Sequence, residues 1–245
     1  LSIVDLEGGS QPIYNEDKTR VITFNGEIYN HLELREDLIS KGHVFTTHAD
    51  TEVLLHGYEE YGAELLKKVR GMFAFAIWNE EKQELFCARD RFGEKPFYYA
   101  HGKNGEFIFA SEMKAILASG LIKPIVNQEA ISHFLQYGYV SAQQSIYSNI
   151  FTLPPAHFLV FSKGNIQVER YYSLPKNDLK INLSDAKEEF SHLLKNAVQK
   201  QLIADVEVGS FLSGGLDSST IVAMVNEFKE KQTTISFGYS GEHSE

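Results

Sequence analysis

Seven consecutive residues, Ser213-Gly214-Gly215-Leu216-Asp217-Ser218-Ser219, combine the backbone freedom, hydroxyls and charge that a polyphosphate site needs. The apolar stretch 206–212, ending Phe211-Leu212, predicts a strand entering this loop, and 220–230 predicts the helix leaving it. Two glycines permit positive φ and let the backbone approach an anion closely. A helix start adds unpaired N–H groups and the positive end of its dipole. Ser213, Ser218 and Ser219 add hydroxyl donors. A Walker A loop would carry a lysine after its last glycine; this loop carries Asp217 instead. A carboxylate among phosphate donors is coherent when a divalent cation such as Mg²⁺ lies between the two negative charges. A lone Gly-Gly pair reads as a turn, whereas the whole string on a strand–loop–helix frame reads as a phosphate cradle.

The elements that must position other chemistry lie upstream. Residues 21–24 predict a short strand ending at Asn25-Gly26, which alone is a turn signal. Residues 33–41, with Leu34 and Leu38, and 51–61, with Val53, Leu54 and Tyr58, have helical apolar spacing. Strands are predicted at 71–78, 83–89, 96–101, 106–110, 158–162 and 166–170, and helices at 111–119 and 129–137. Helices on a pair of mostly antiparallel sheets are the expected layering. Pro175 and its polar neighbours mark 173–183 as a connection between domains at 1–172 and 184–245. Ser184 is then predicted to cap a helix that buries Phe190, Leu193, Leu194, Ala197, Val198 and Leu202. The strands 206–212 and 233–237 are expected to share a parallel sheet. Two such strands cannot bury both faces, so this domain is expected to continue past Glu245; the chain is likewise expected to open inside a strand at Leu1.

With 43% apolar and 23% charged residues in 245, the composition is that of a globular protein. A formal net charge of −10 argues against nucleic acid and anionic membranes as partners. The longest apolar run, 72–78, is strand-sized and not membrane-spanning. One cysteine excludes an internal disulfide framework. The expected location is the cytoplasm.

The strings decide more than the periodicities. The Ser-Gly-Gly-Leu-Asp-Ser-Ser loop resembles the pyrophosphate-binding loop of the ATP pyrophosphatase families. Before it, in order, stand Leu1-Ser2-Ile3-Val4-Asp5-Leu6, Phe24-Asn25-Gly26-Glu27-Ile28-Tyr29-Asn30, Asp50-Thr51-Glu52, Gly71-Met72-Phe73-Ala74-Phe75-Ala76, Arg89-Asp90-Arg91-Phe92-Gly93 and Ala110-Ser111-Glu112-Met113-Lys114-Ala115. Over essentially its whole length the chain resembles glutamine-hydrolysing asparagine synthetases of the B type. The resemblance implies an α+β N-terminal-nucleophile glutaminase domain, an αββα sandwich. It implies that this is followed by the start of an α/β ATP pyrophosphatase domain of the adenine nucleotide α-hydrolase kind. The implied substrates are glutamine, aspartate and ATP with Mg²⁺, the implied products asparagine, glutamate, AMP and pyrophosphate; a homodimer is a further expectation.

By the same resemblance, Asn25 and Gly26 form the oxyanion hole, where each donor is worth about 3 kcal/mol. Asp50 binds the glutamine α-ammonium, Glu27 lines that pocket, and Leu1, Ser2, Ile3 and Val4 wall it. Leu212, Ser213, Gly214, Gly215, Leu216, Asp217, Ser218 and Ser219 bind ATP, with Phe237 beside adenine and Asp217 as the Mg²⁺ ligand. Met113 and Leu212 line the ammonia route. The family's nucleophilic cysteine and its carboxylate-binding arginine are expected upstream of Leu1. Cys87, mid-strand and without a free amine, reads as a core thiol. Ala49 stands where the family has a serine, which removes a hydroxyl beside Asp50. Phe237 stands where a smaller aliphatic residue is usual. Arg89, Asp90 and Arg91 read as a salt-bridged structural corner. His43, His48 and His56 lack the short paired spacing of a zinc site. Two other readings share these motifs: an amidotransferase acting on a sugar acid or peptide carboxylate, or a catalytically incomplete ligand-binding fragment.

Overall fold

In the computed structural model, residues 4–5, 8–141, 144–176 and 180–238 are described. The chain divides into two compact units, Leu1–Pro175 and Lys176–Glu245.

The first unit opens with β1 (Ile13–Tyr14) and β2 (Arg20–Ile28), then α1 (His31–Ser40), α2 (Asp50–Tyr61) and a short α3 (Leu65–Lys68). Strands β3 (Gly71–Asn79), β4 (Glu84–Arg89), β5 (Tyr98–His101) and β6 (Phe107–Ala110) follow, then α4 (Met113–Ala118) and α5 (Gln128–Tyr137). It closes with β7 (Phe151–Thr152), β8 (His157–Ser162) and β9 (Asn165–Arg170). These strands make a six-stranded sheet in the order β1-β2-β3-β4-β8-β9 and a three-stranded sheet, β6-β5-β7, with antiparallel pairing throughout.

Side-chain alternation explains the layers. Phe73, Phe75 and Ile77 of β3 join Ile22, Phe86 and Ala88 on one face, where Leu34, Leu38, Val53 and Leu54 of the helices cover them. The opposite face carries Ala74, Ala76 and Cys87, small enough to admit the second sheet with Phe97, Phe107 and Phe109. The far face of that sheet presents Ala100 and Ile108 to Ile116 of α4. Helices, sheet, sheet and helix therefore stack as αββα. Cys87 is wholly buried, and burial holds its thiol well above the usual range.

Asn25-Gly26 is not a turn, as the dipeptide alone suggests. Strand β2 runs through it to Ile28, paired with β3 along its whole length. The two strands meet at bare backbone: a Cβ on Gly26, whose φ is +154°, would lie 2.0 Å from the Met72 carbonyl, and one on Gly71 would lie 2.1 Å from the Glu27 carbonyl. Only glycine fits at either position.

The corner after β4 is held by hydrogen bonds to backbone and not by the expected salt bridge. Arg89 donates to the Lys95, Leu153 and Gly93 carbonyls. The buried Asp90 carboxylate accepts from the amides of Phe73, Phe92, Glu94 and Lys95. Charged groups here replace the water that these backbone groups would otherwise bind. Asp90→Ala removes the acceptor of one buried and three part-buried N–H groups and should lower unfolding free energy by about 3 kcal/mol. Denaturant titration reads this directly, and a change below about 0.5 kcal/mol would show that the corner does not depend on the carboxylate.

The second unit contains α6 (Leu183–Gln201), β10 (Ser210–Phe211), α7 (Leu216–Val225) and β11 (Thr234–Ile235), with β10 and β11 parallel. Three expectations are corrected. The cap of α6 is Asn182, whose Oδ1 accepts from the Asp185 amide, so Ser184 lies inside the first turn. Of the predicted buried stripe only Val198 is buried; Phe190 and Leu193 are 65% and 57% exposed. Among the described residues only α7 and a two-stranded sheet are present to cover this 19-residue helix. Finally, the strands are shorter than read, and α7 starts at Leu216 and ends at Val225 instead of spanning 220–230. The strand ends at Phe211, before the glycines, and Gly215 is the N-cap from which Leu216 enters the helix. Among the described residues no helix is long and apolar enough to cross a membrane.

Candidate functional site

The termini of β2 and α2 meet beside the N-terminal segment. Val4, Gly9, Ser10, Gln11, Phe24, Gly26, Glu27, Ala49, Asp50 and Thr51 line a cleft of about 260 Å³. Val4, Gly26, Glu27 and Asp50 are thus brought together; Leu1, Ser2 and Ile3 lie outside the described residues. Gln11 brackets Phe24, taking its amide on Oε1 and giving Nε2 to its carbonyl. Backbone groups repeat every second residue along a strand, so the Gly26 N–H is turned to that same edge.

The Asn25 side chain faces elsewhere. It lines a smaller neighbouring hollow of about 130 Å³ with Ala74, Phe97 and Ser111, and its Nδ2 donates to Ser111 Oγ at 3.3 Å. Phe24 is common to both hollows.

Asp50 begins α2 and is 7% exposed. The Ile28 amide donates to its Oδ2 at 2.9 Å. Burial raises its carboxyl above the usual range, against that bond and the nearby His31. Burial also raises Glu27, and the charge of Asp50 adds to it. Two carboxylates that are costly to ionise alone make a cleft suited to a cationic group, whose arrival would favour both charges.

A second cluster lies behind Asp50 on α2. Glu52 is 2% exposed, and its carboxylate accepts from the amide and hydroxyl of both Thr46 and Thr47. Buried His56 places Nε2 3.7 Å from Glu52 and Nδ1 2.7 Å from Glu59 Oε2. His43 lies 3.7 Å from that same Glu59 oxygen and 3.3 Å from Glu60. The fold therefore gathers His43, His56 and Glu59 within 4.8 Å, which spacing along the chain did not reveal. The 2.7 Å contact is a proton's distance; ligands of one tetrahedral zinc stand about 3.3 Å apart at bond lengths of about 2.0 Å. Arg20, 3.3 Å from Glu59 Oε1, already supplies a cation. The cluster is an ion-pair network.

Burial opposes both charges in its centre, but the bonds overcome it. His56 is raised to about 9 by Glu52 and Glu59. Glu52 is lowered to about 2 by His56, Thr46 and Thr47. A histidine raised in the folded state stabilises fully below its unfolded pKa near 6.5 and loses that contribution as pH rises through 9. Unfolding free energy should therefore fall between pH 6.5 and 9, by on the order of 3 kcal/mol. His56→Gln should flatten that slope; a slope unchanged by the substitution would assign it to other groups.

In the second unit Gly214 has φ +81°, and a Cβ there would meet nothing within 4 Å. The backbone conformation, not crowding, calls for glycine. Ser213 N and Oγ both reach Ser218 Oγ, which contacts the Gly215 carbonyl. Leu216, Asp217, Ser218 and Ser219 form the first turn of α7. Leu212 follows β10; its amide donates to Ile235 and its carbonyl accepts from Ser236 Oγ. Phe237 is exposed and stacks on Phe211 at 6.0 Å between ring centroids. Met113 belongs to the first unit, where it lines a largely apolar cavity of about 590 Å³ with Tyr98, Ile131, Phe134 and Ile146.

An αββα stack with an acidic, amino-acid-sized cleft at the end of its central strands is the fold of N-terminal-nucleophile glutamine amidotransferases. The chain belongs to the glutamine amidotransferase domain family, whose model matches residues 1–172, and residues 189–245 match the family described as asparagine synthase. Asparagine synthetase [glutamine-hydrolyzing] 3 of Bacillus subtilis is 41% identical over 95% of this chain and 38% of its own length. A putative asparagine synthetase [glutamine-hydrolyzing] 2 of Methanocaldococcus jannaschii is 40% identical over 100% of this chain and 51% of its own length. The solved glutamine phosphoribosylpyrophosphate amidotransferase of B. subtilis has 19% identity and a TM-score of 0.45, covering 95% of this chain and 49% of that one. The chain thus spans about 38% to 51% of the length of these curated relatives.

Proposed function

We propose that the protein makes asparagine from aspartate and ATP with ammonia drawn from glutamine, and that the chain supplies the glutamine site and the ATP loop. One observation carries this reading: Asp50, buried and fixed on the Ile28 amide, faces a cleft walled by Val4, Gly26 and Glu27. A buried carboxylate there suits the α-ammonium of an amino acid. A thiolate, supplied by the cysteine the resemblance places upstream of Leu1, attacks the glutamine amide carbon. The base that takes the thiol proton returns it to the departing amide nitrogen, which leaves as ammonia, and water then hydrolyses the thioester to glutamate and regenerates the thiol. Gly26 N–H and Asn25 Nδ2 stabilise the oxyanion, Asn25 after leaving Ser111 for the substrate. The apolar cavity at Met113 supports an ammonia route that excludes water; the matching role of Leu212 rests on resemblance.

In the second unit Ser213, Ser218, Ser219 and the α7 N-terminus suit the phosphates of ATP, and Leu212 and Phe237 would flank the base. Asp217 would hold Mg²⁺, whose chemistry is to neutralise charge on the departing pyrophosphate. The test is an assay of the complete enzyme with glutamine, ATP and aspartate. Equimolar asparagine, glutamate, AMP and pyrophosphate are expected; turnover only when a sugar acid or peptide carboxylate replaces aspartate would reassign the acceptor.

A further inference from the structure

The four residues before Asp50 form a turn whose consecutive amides are all bound by side chains. Thr46 N–H donates to Glu52 Oε1 and Thr47 N–H to Glu52 Oε2, each at 2.8 Å. His48 N–H donates to Asp5 Oδ2 at 2.7 Å, and Ala49 N–H to Thr47 Oγ1 at 3.2 Å. Ala49 is the N-cap of α2 and offers no side-chain cap. In an ordinary capping box the third helical residue, here Glu52, would reach back to the N-cap amide. Glu52 reaches past it to Thr46 and Thr47, and the Thr47 hydroxyl serves Ala49 in its place.

We propose that Glu52 is a positioning residue for the ammonium site: through the Thr46–Ala49 turn it fixes the direction of the Asp50 carboxylate, and His56 anchors Glu52 from behind. This rests on the reading of the cleft as a glutamine site. Glu52 itself touches the turn and His56, not the cleft. Its carboxylate spans two threonines with both oxygens, a fixed fork that neither a glutamine amide nor a shorter side chain reproduces. The outer bond, from Asp5, ties the same turn to the N-terminal segment that supplies Val4 to the cleft. Asp50 therefore has little freedom to turn, and the preference for a free α-amino group, set by Asp50, is sharpened by residues that never contact that group.

The test compares L-glutamine with 4-carbamoylbutanoate, the same molecule without its amino group, by calorimetric titration of the complete enzyme with its nucleophilic cysteine replaced by alanine, so that glutamine binds without being hydrolysed. Wild type should bind glutamine at least about 30-fold more tightly, the worth of a charge-assisted bond. Glu52→Gln should cut that ratio about tenfold by weakening glutamine alone, leaving the des-amino compound unchanged. A merely structural role would weaken both ligands together. Should Glu52→Gln not fold, Thr47→Val removes one arm of the clamp and carries the same test with an expected loss of about threefold. An unchanged ratio in either folded variant, or a parallel loss of both ligands, overturns the positioning role while leaving the glutamine site standing. Equal binding of the two compounds by wild type, or no glutamine binding, removes the glutamine reading and this proposal with it.

Discussion

Replacing Asp50 with Asn should leave the complete enzyme almost unable to use glutamine while asparagine still forms at the normal rate from free ammonia. The asparagine side chain keeps an oxygen for the Ile28 amide, so the local fold survives. What disappears is the charge that, in the proposed function, faces the substrate ammonium. Removing one partner of a buried, hydrogen-bonded charge pair costs about 3–4 kcal/mol, which is about 10²–10³ in glutamine-dependent kcat/KM. Ammonia added from solution has no α-amino group to be held and bypasses the cleft. Parallel assays with glutamine and with ammonium chloride separate the two, and an equal loss in both would make Asp50 a structural residue.

The second large effect concerns Asp217. It sits in the first turn of α7 among Ser218, Ser219 and the glycines. A carboxylate at a helix start also complements the dipole, worth about 0.3–1 kcal/mol. The two roles diverge on substitution. If Asp217 holds Mg²⁺ against the pyrophosphate, Asp217→Asn should reduce AMP and pyrophosphate formation by at least about 100-fold and blunt its dependence on Mg²⁺, while glutamine hydrolysis continues. A dipole role would leave synthesis nearly intact with a slightly lower Tm. Pyrophosphate release measured across Mg²⁺ concentrations decides it, and near-normal release by the variant would dismiss the metal role.

Much of the first unit was legible because its strands alternate cleanly. In β3, Phe73, Phe75 and Ile77 against Ala74 and Ala76 announce a strand covered on both faces by layers of different thickness. The strings around Gly26, Asp50 and Gly214 stood out by resemblance, and the structure brings Gly26 and Asp50 to one cleft and gives Gly214 a positive φ. The Asn25-Gly26 pair misled because local propensity reads it as a turn, whereas pairing with β3 keeps it extended. In the network of His43, Glu52, His56 and Glu59, the last three have i, i+3 and i, i+4 spacing on one helix, and only the part of His43 is hidden from the sequence. His43 precedes α2 by a loop, and only packing brings its ring 5.2 Å from that of His56. The exposed stripe of α6 failed for the opposite reason, since amphipathicity states what a helix would bury and not what is there to bury it.

The bare contacts at Gly26 and Gly71 constrain how such a protein can diversify. Neither position accepts even a methyl group without prying the central strands apart. Gly26 also borders the cleft, so the floor of the site is closed to the substitutions by which enzymes commonly acquire new preferences. If the proposed function holds, variation in amino-acid selectivity enters through the rest of the lining, Gly9 to Gln11 and Ala49. A library built for altered selectivity should leave 26 and 71 untouched and randomise these positions, where a change of side chain can reshape the opening while the seam beneath it stays in register.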